Sequence, residues 1–300
     1  MDQLKLPSQL QNCQRRTDME LKVMDFSVDI DGVATVRFNR PGRGNSWTAR
    51  MNHEYRWIMA TLDEDPAVRV IVLRGAGKQF CVGADFKALD FYAEENRDYM
   101  ATVDTRAAAQ PGHGVRPEFE HDLVWAWGLR KPVIAAINGP CAGIAVAIAA
   151  YCDLRYAVAG AKITTVAARL GLPAEYGLGW VLPRLMGVTH AADVLLTGRI
   201  FTAEEALKMN FLNDVFAPEE FDDRIAEIAR NMARTVSPQA ALTTKRQLYA
   251  ELMESDVGAC IEDSKRRIGQ AMHQRDFKEG VAAMAERRAP RFQGVGKDDQ

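Results

Sequence analysis

Between Lys131 and Asp153 the chain reads as two apolar runs with a break between them. Pro132 to Ile137 is apolar throughout, Asn138-Gly139-Pro140 interrupts it, and Gly143 to Ala150 is apolar again but built from small side chains. This pattern predicts a short buried strand, a turn and a buried helix. Nearer the N-terminus, Val23, Phe26, Val28 and Ile30 precede Asp31-Gly32, and Val33, Val36 and Phe38 follow it. Two β-rich runs around Asp-Gly predict a hairpin. Ser46 or Thr48 is placed to cap a helix from about Ala49 to Leu62. Val68 to Leu73 is a continuous apolar run that ends at Arg74-Gly75-Ala76-Gly77, as expected for a strand buried on both faces.

Beyond Asp153 the runs 154–159 and 161–166 predict two further strands. A Gly-rich loop from Arg169 to Trp180 leads into 181–187, and a helix is expected from Thr189. Thr202 to Glu205 has the capping-box pattern for the next helix. From Pro218 onward the periodicity is helical, over 221–236, 238–254, 257–274 and 276–288. The charged stretch 90–120, with Pro111-Gly112-His113-Gly114 at its centre, reads as helix, loop and helix. Residues 1–20 and 294–300 read as loose ends. The expected division is an arm over 1–20, an α/β core over 21–215 and a helical region over 216–300.

Composition narrows the function classes. Three hundred residues with 47% hydrophobic content can bury a large core. A net charge of −2 argues against nucleic acid or an anionic membrane as the main partner. The most apolar window, 132–151, is broken by Asn138-Gly139-Pro140 and rich in Ala and Gly, so it reads as a buried segment rather than a membrane span. The N-terminus lacks an apolar run of signal-peptide length. Five cysteines without a CxxC spacing suggest reduced thiols and a cytoplasmic setting. Five scattered histidines have no ligand spacing, so no metal is expected.

Two kinds of candidate chemistry remain. Gly83-Ala84-Asp85 and Gly143-Ile144 each stand where a strand turns into a helix. Backbone N–H groups at Ala84 and Ile144 that faced one point would hold an oxyanion. The plainer reading is a capping aspartate in one case and a close-packed core helix in the other. Glu175 lies in a Gly-rich loop among apolar neighbours, where desolvation would raise its pKa and suit it to acid–base work. Its plainer reading is a surface carboxylate.

The blocks Phe38-Asn39-Arg40-Pro41 with Asn45, Phe80 to Asp85, Asn138-Gly139 through Asp153, and Leu182-Pro183-Arg184 with Leu196-Thr197-Gly198 resemble the crotonase (enoyl-CoA hydratase/isomerase) superfamily in order and spacing. The resemblance runs from about Leu21 to Gly294. It implies a β-β-α spiral core, a helical C-terminal trimerisation region, and a homotrimer or dimer of trimers. It implies an acyl-CoA thioester substrate, with no cofactor apart from the coenzyme A it carries. The thioester carbonyl would be held by the N–H groups of Ala84 and Ile144. Gly83, Asp85, Lys87, Gly143, Tyr176 and Trp180 are the expected substrate-binding residues. The two glutamates of typical hydratases of this superfamily fall at Ala147 and Ala167. Glu175 falls where a subset with a single carboxylate, isomerases among them, carries it. The resemblance therefore implies enoyl-CoA isomerisation or hydration with one acid–base residue. The alternatives are an acyl-CoA-binding protein without catalysis, and C–C cleavage or thioester hydrolysis on the same fold.

Overall fold

A computed structural model describes residues 19–85, 111–112 and 115–297. The arm over 1–18, most of the 90–120 stretch and Lys87 lie outside the described residues.

The predicted hairpin is β1 (Met24–Val28) and β2 (Val33–Phe38), antiparallel, with Met24 opposite Phe38. Its turn closes where Gly32 N–H donates to the Asp29 carbonyl and Asp29 N–H to that of Val33. The helix α1 (Ala49–Glu64) starts on Thr48, whose hydroxyl accepts from Met51 N–H. Strands β3 (Val70–Gly75), β4 (Val133–Ile137), β6 (Leu154–Val158) and β9 (Asp214–Phe216) extend the sheet in parallel, in the order β1-β2-β3-β4-β6-β9. A smaller sheet joins β5 (Cys141–Ala142), β7 (Lys162–Thr164) and β8 (Phe201–Thr202). The chain runs as a spiral. After β4 it enters β5 and then the helix α2 (Ile144–Ala150), and after β6 it enters β7 and then a 3-10 turn over Ala167–Leu170.

All five residues of β4 are buried, and they divide between two cores. Val133, Ala135 and Ile137 pack with α1 and α2, while Ile134 and Ala136 pack under the helix α5 (Phe221–Thr235). Alternation along a strand covered on both faces accounts for the unbroken apolar run in the sequence. Trp125 and Trp127, in a 3-10 turn over Val124–Gly128, fill the first core.

Two expectations need correction. The helix α3 spans Leu178–Thr197, so it begins well before Thr189. Gly187, at φ 78° and ψ 159°, breaks it, and the expected helix is its second half. The helix α4 (Ala203–Lys208) carries the expected Thr202/Glu205 capping box, but β8 and β9 beside it are too short to leave a periodic pattern. The segment before residue 297 is docked, not loose. Val295 is buried, its carbonyl accepts from the fully buried Lys131 ammonium, and the Phe292 carbonyl accepts from Arg69 Nη2 at 2.6 Å. A buried ammonium needs acceptors, and the end of the chain supplies one.

The helices α6 (Pro238–Glu251), α7 (Val257–Ala271) and α8 (Arg275–Glu286) complete the described chain close to the expected ranges. None of these helices or the others described is long and apolar enough to cross a membrane.

Candidate active site

The loop leaving β3 and the turn leaving β4 are fastened together. Asn138 donates to the carbonyls of Gly75 at 3.0 Å and Gly77 at 2.9 Å, and accepts from Gly75 N–H at 2.9 Å. Asn45 reaches the same loop from the other side, donating to the carbonyls of Ala76 at 2.9 Å and Gln79 at 2.7 Å. Ala142 N–H donates to the Cys81 carbonyl and Cys81 N–H to that of Pro140, so the two turns run side by side. The Cys81 and Cys141 thiols are free and buried, and burial pushes Cys81 up to about 12. They act as small packing groups rather than nucleophiles.

This fastening exposes two backbone donors. Trp47 N–H donates to the Gly83 carbonyl and Asp85 N–H to that of Trp47. In a parallel bridge the residue between, Ala84, turns its own N–H the other way. Ile144 is the first residue of α2, where N–H groups have no intrahelical acceptor. Neither N–H has a protein acceptor among the described residues. The glycines before them are neighbours: a Cβ on Gly143 would lie 3.9 Å from Gly83 Cα and 3.8 Å from Glu175 Oε2. Gly143, at φ 54° and ψ −123°, holds a conformation that favours glycine.

Glu175 thus lies beside Gly143. It is half-buried, and burial alone raises its pKa, with no neighbouring charge contributing. Its carboxyl has no hydrogen-bond partner among the described residues. Ala147 and Ala167 are buried and bring only methyl groups to the positions where the resemblance implies glutamates.

The expected substrate-binding residues divide. Gly83 and Gly143 line the meeting point of the turns. Asp85 faces away from it: its carboxylate accepts from Arg40 Nη1 and Ser46 Oγ, both at 3.0 Å. An ion pair this enclosed fastens the 83–85 turn to the loop after β2, so Asp85 works as a brace. Tyr176 and Trp180 flank the Glu175 loop. Trp180 packs against Trp127 at 5.8 Å between ring centroids and beneath the Arg184 guanidinium at 3.7 Å. Among the described residues, no group of three or more His, Cys, Asp or Glu side chains is arranged to hold a metal.

Sequence reading missed one residue of the site. Tyr151, at the end of α2, donates its hydroxyl to the Tyr176 carbonyl at 2.9 Å. The available signal was a single large polar side chain closing a run of alanines.

The chain as a whole is similar to known proteins. The family model described as enoyl-CoA hydratase/isomerase matches residues 29–295. The (E)-benzylidenesuccinyl-CoA hydratase of Thauera aromatica is 34% identical over 266 residues, 88% of this chain and 96% of that protein. The 1,2-epoxyphenylacetyl-CoA isomerase of Escherichia coli is 31% identical over 264 residues, covering 88% and 95%. Among solved structures, an enoyl-CoA hydratase from Bacillus anthracis superposes with a TM-score of 0.80 at 26% identity, over 91% of this chain and all of that one.

Proposed function

The chain belongs to the enoyl-CoA hydratase/isomerase family, the crotonase superfamily, and from that premise we propose that Glu175 is the one acid–base residue of an enoyl-CoA isomerase. The observation that carries this reading is the position of its carboxyl: desolvated, without a hydrogen-bond partner among the described residues, and beside Gly143, the residue before the open Ile144 N–H.

The thioester carbonyl oxygen of an enoyl-CoA accepts from the N–H groups of Ala84 and Ile144. Glu175 as carboxylate removes a proton from the acyl carbon skeleton, and the electron pair moves onto that oxygen as an enolate. The two N–H donors favour the enolate over the neutral carbonyl because the charge develops there. Glu175, now protonated, returns the proton two carbons away and the double bond moves. One carboxylate suffices for this cycle. Water addition needs a second group to orient the water, and Ala147 and Ala167 provide none. Coenzyme A enters with the substrate, and the chemistry uses no other cofactor.

The wider assembly belongs to the same proposal. Val257, Ile261 and Ile268 on α7 and Met272 just after it, with Phe277, Val281 and Met284 on α8, leave an apolar surface open. A homotrimer, or two stacked trimers, would cover it.

The test uses 2-enoyl-CoA and 3-enoyl-CoA in heavy water. Deuterium uptake without added water is the expected result for the wild type. Glu175→Gln is expected to lose at least about 100-fold in turnover while acyl-CoA binding persists. Wild-type turnover by Glu175→Gln would remove Glu175 from the mechanism, and hydrated product would replace the proton shift with water addition.

A further inference from the structure

The helix α2 supplies the Ile144 N–H at one end and Tyr151 at the other. Tyr151 is buried, its ring edge-on to Trp127 at 5.2 Å. A phenol in such a place needs an acceptor, and it takes one on the loop that carries Glu175. We propose that Tyr151 is a positioning residue for that loop, its hydroxyl gripping the Tyr176 carbonyl so that the Glu175 carboxyl stays over Gly143. The inference rests on the reading of Glu175 as the acid–base group.

Three observations converge on it. The hydrogen bond reaches the residue immediately after Glu175. Tyr176 itself is left-handed, at φ 46°, although it is not a glycine. Such a conformation is strained for a non-glycine residue and persists only where its surroundings hold it. Gly177, also left-handed at φ 71°, has no room for a side chain: a Cβ there would meet Tyr151 Oη at 2.6 Å. The loop is shaped around this hydroxyl.

The consequence is geometric. Seven residues of helix span about 10 Å, and a helix is stiff along its axis. One rigid element therefore sets the oxyanion donor at its first residue and, through Tyr151, the carboxyl that faces it. Burial pushes Tyr151 up to about 12, so it remains a neutral donor while Glu175 titrates. Tyr151 touches neither substrate nor proton; it acts through the loop.

The experiment is a titration of the full chain with carbon-13-labelled glutamate carboxyls. The Glu175 signal is identified by its loss in Glu175→Gln. In Tyr151→Phe, a released loop lets the carboxyl reach water, so its titration moves down toward the ordinary carboxylate range. Turnover is expected to fall about 10- to 100-fold with KM little changed, and the acid limb of the rate profile moves to lower pH. Tyr249→Phe deletes another buried hydroxyl, one bonded to Asp153 rather than to the loop, and is expected to leave the Glu175 titration in place. Should Tyr151→Phe fail to fold, Gly177→Ala pushes a methyl against the same hydroxyl and is expected to give the same downward shift. An unmoved titration with wild-type turnover in Tyr151→Phe would overturn the positioning role and leave Glu175 standing. Wild-type turnover in Glu175→Gln would bring down both.

Discussion

Two helices of this chain are built on opposite terms. All seven residues of α2 are buried, and none of the fifteen residues of α7 is. The first has no polar face, because the sheet, α1 and α3 surround it. The second presents Val257, Ile261 and Ile268 at helical spacing, continued by Met272 just after it, yet Val257 is 75% exposed and Ile268 60%. What α2 owes to its own chain, α7 leaves open on its surface. Packing encloses α2 inside the chain, while the tail helices present an apolar stripe that the described residues leave exposed.

The largest test of this contrast lies just after α2. Asp153 accepts from Lys245 Nζ at 2.7 Å, Tyr249 Oη at 2.7 Å and Val133 N–H at 2.6 Å. Asp153→Ala leaves the buried Lys245 ammonium without its counter-charge and is expected to cost about 3–5 kcal/mol, read by urea denaturation. A loss under about 1 kcal/mol would mean that Lys245 finds water instead.

A smaller effect is expected inside α2. Ala149 is fully buried, and Ala149→Leu adds volume where close packing leaves none. The cost is about 1–3 kcal/mol, seen as a lower thermal midpoint. If the midpoint does not fall, α2 has slack around it and its role as a rigid element fails.

The smallest effect on subunit stability is expected on α7. The double change Ile261→Glu with Ile268→Glu touches no buried contact and should alter the folding free energy of a separated subunit by about 0.5 kcal/mol or less. Sedimentation is expected to show smaller assemblies than the wild type. An unchanged sedimentation coefficient would place the subunit contacts elsewhere.

Legibility in the sequence followed the range of the interactions. The hairpin, Thr48 at the start of α1 and the Thr202/Glu205 box were readable because the partners are a few residues apart. Of the two residues expected to cap α1, Ser46 has another task, bonding Asp85 thirty-nine positions away. The front half of α3 was obscured by Gly177, Gly179, Pro183 and Gly187, which read as breakers. The neighbouring core holds that segment helical despite them: Leu178, Val181, Leu182 and Met186 are all buried. Within the site, the elevated pKa of Glu175 was readable because apolar neighbours in its own loop foretell desolvation. The role of Asp85 and the bond from Tyr151 were not, because each depends on a partner brought near only by the fold.

The buried Lys131 has a consequence in time. Its ammonium is held by the Val295 carbonyl, 164 positions further along the chain. Synthesis runs from the N-terminus, so the strand that begins just after Lys131 leaves the ribosome long before this acceptor is made. Until then the ammonium lacks the bond that the segment around Val295 brings to it. A chain broken off before Val295 therefore lacks this bond, and any loss of stability that follows lengthens its exposure to chaperones and proteases.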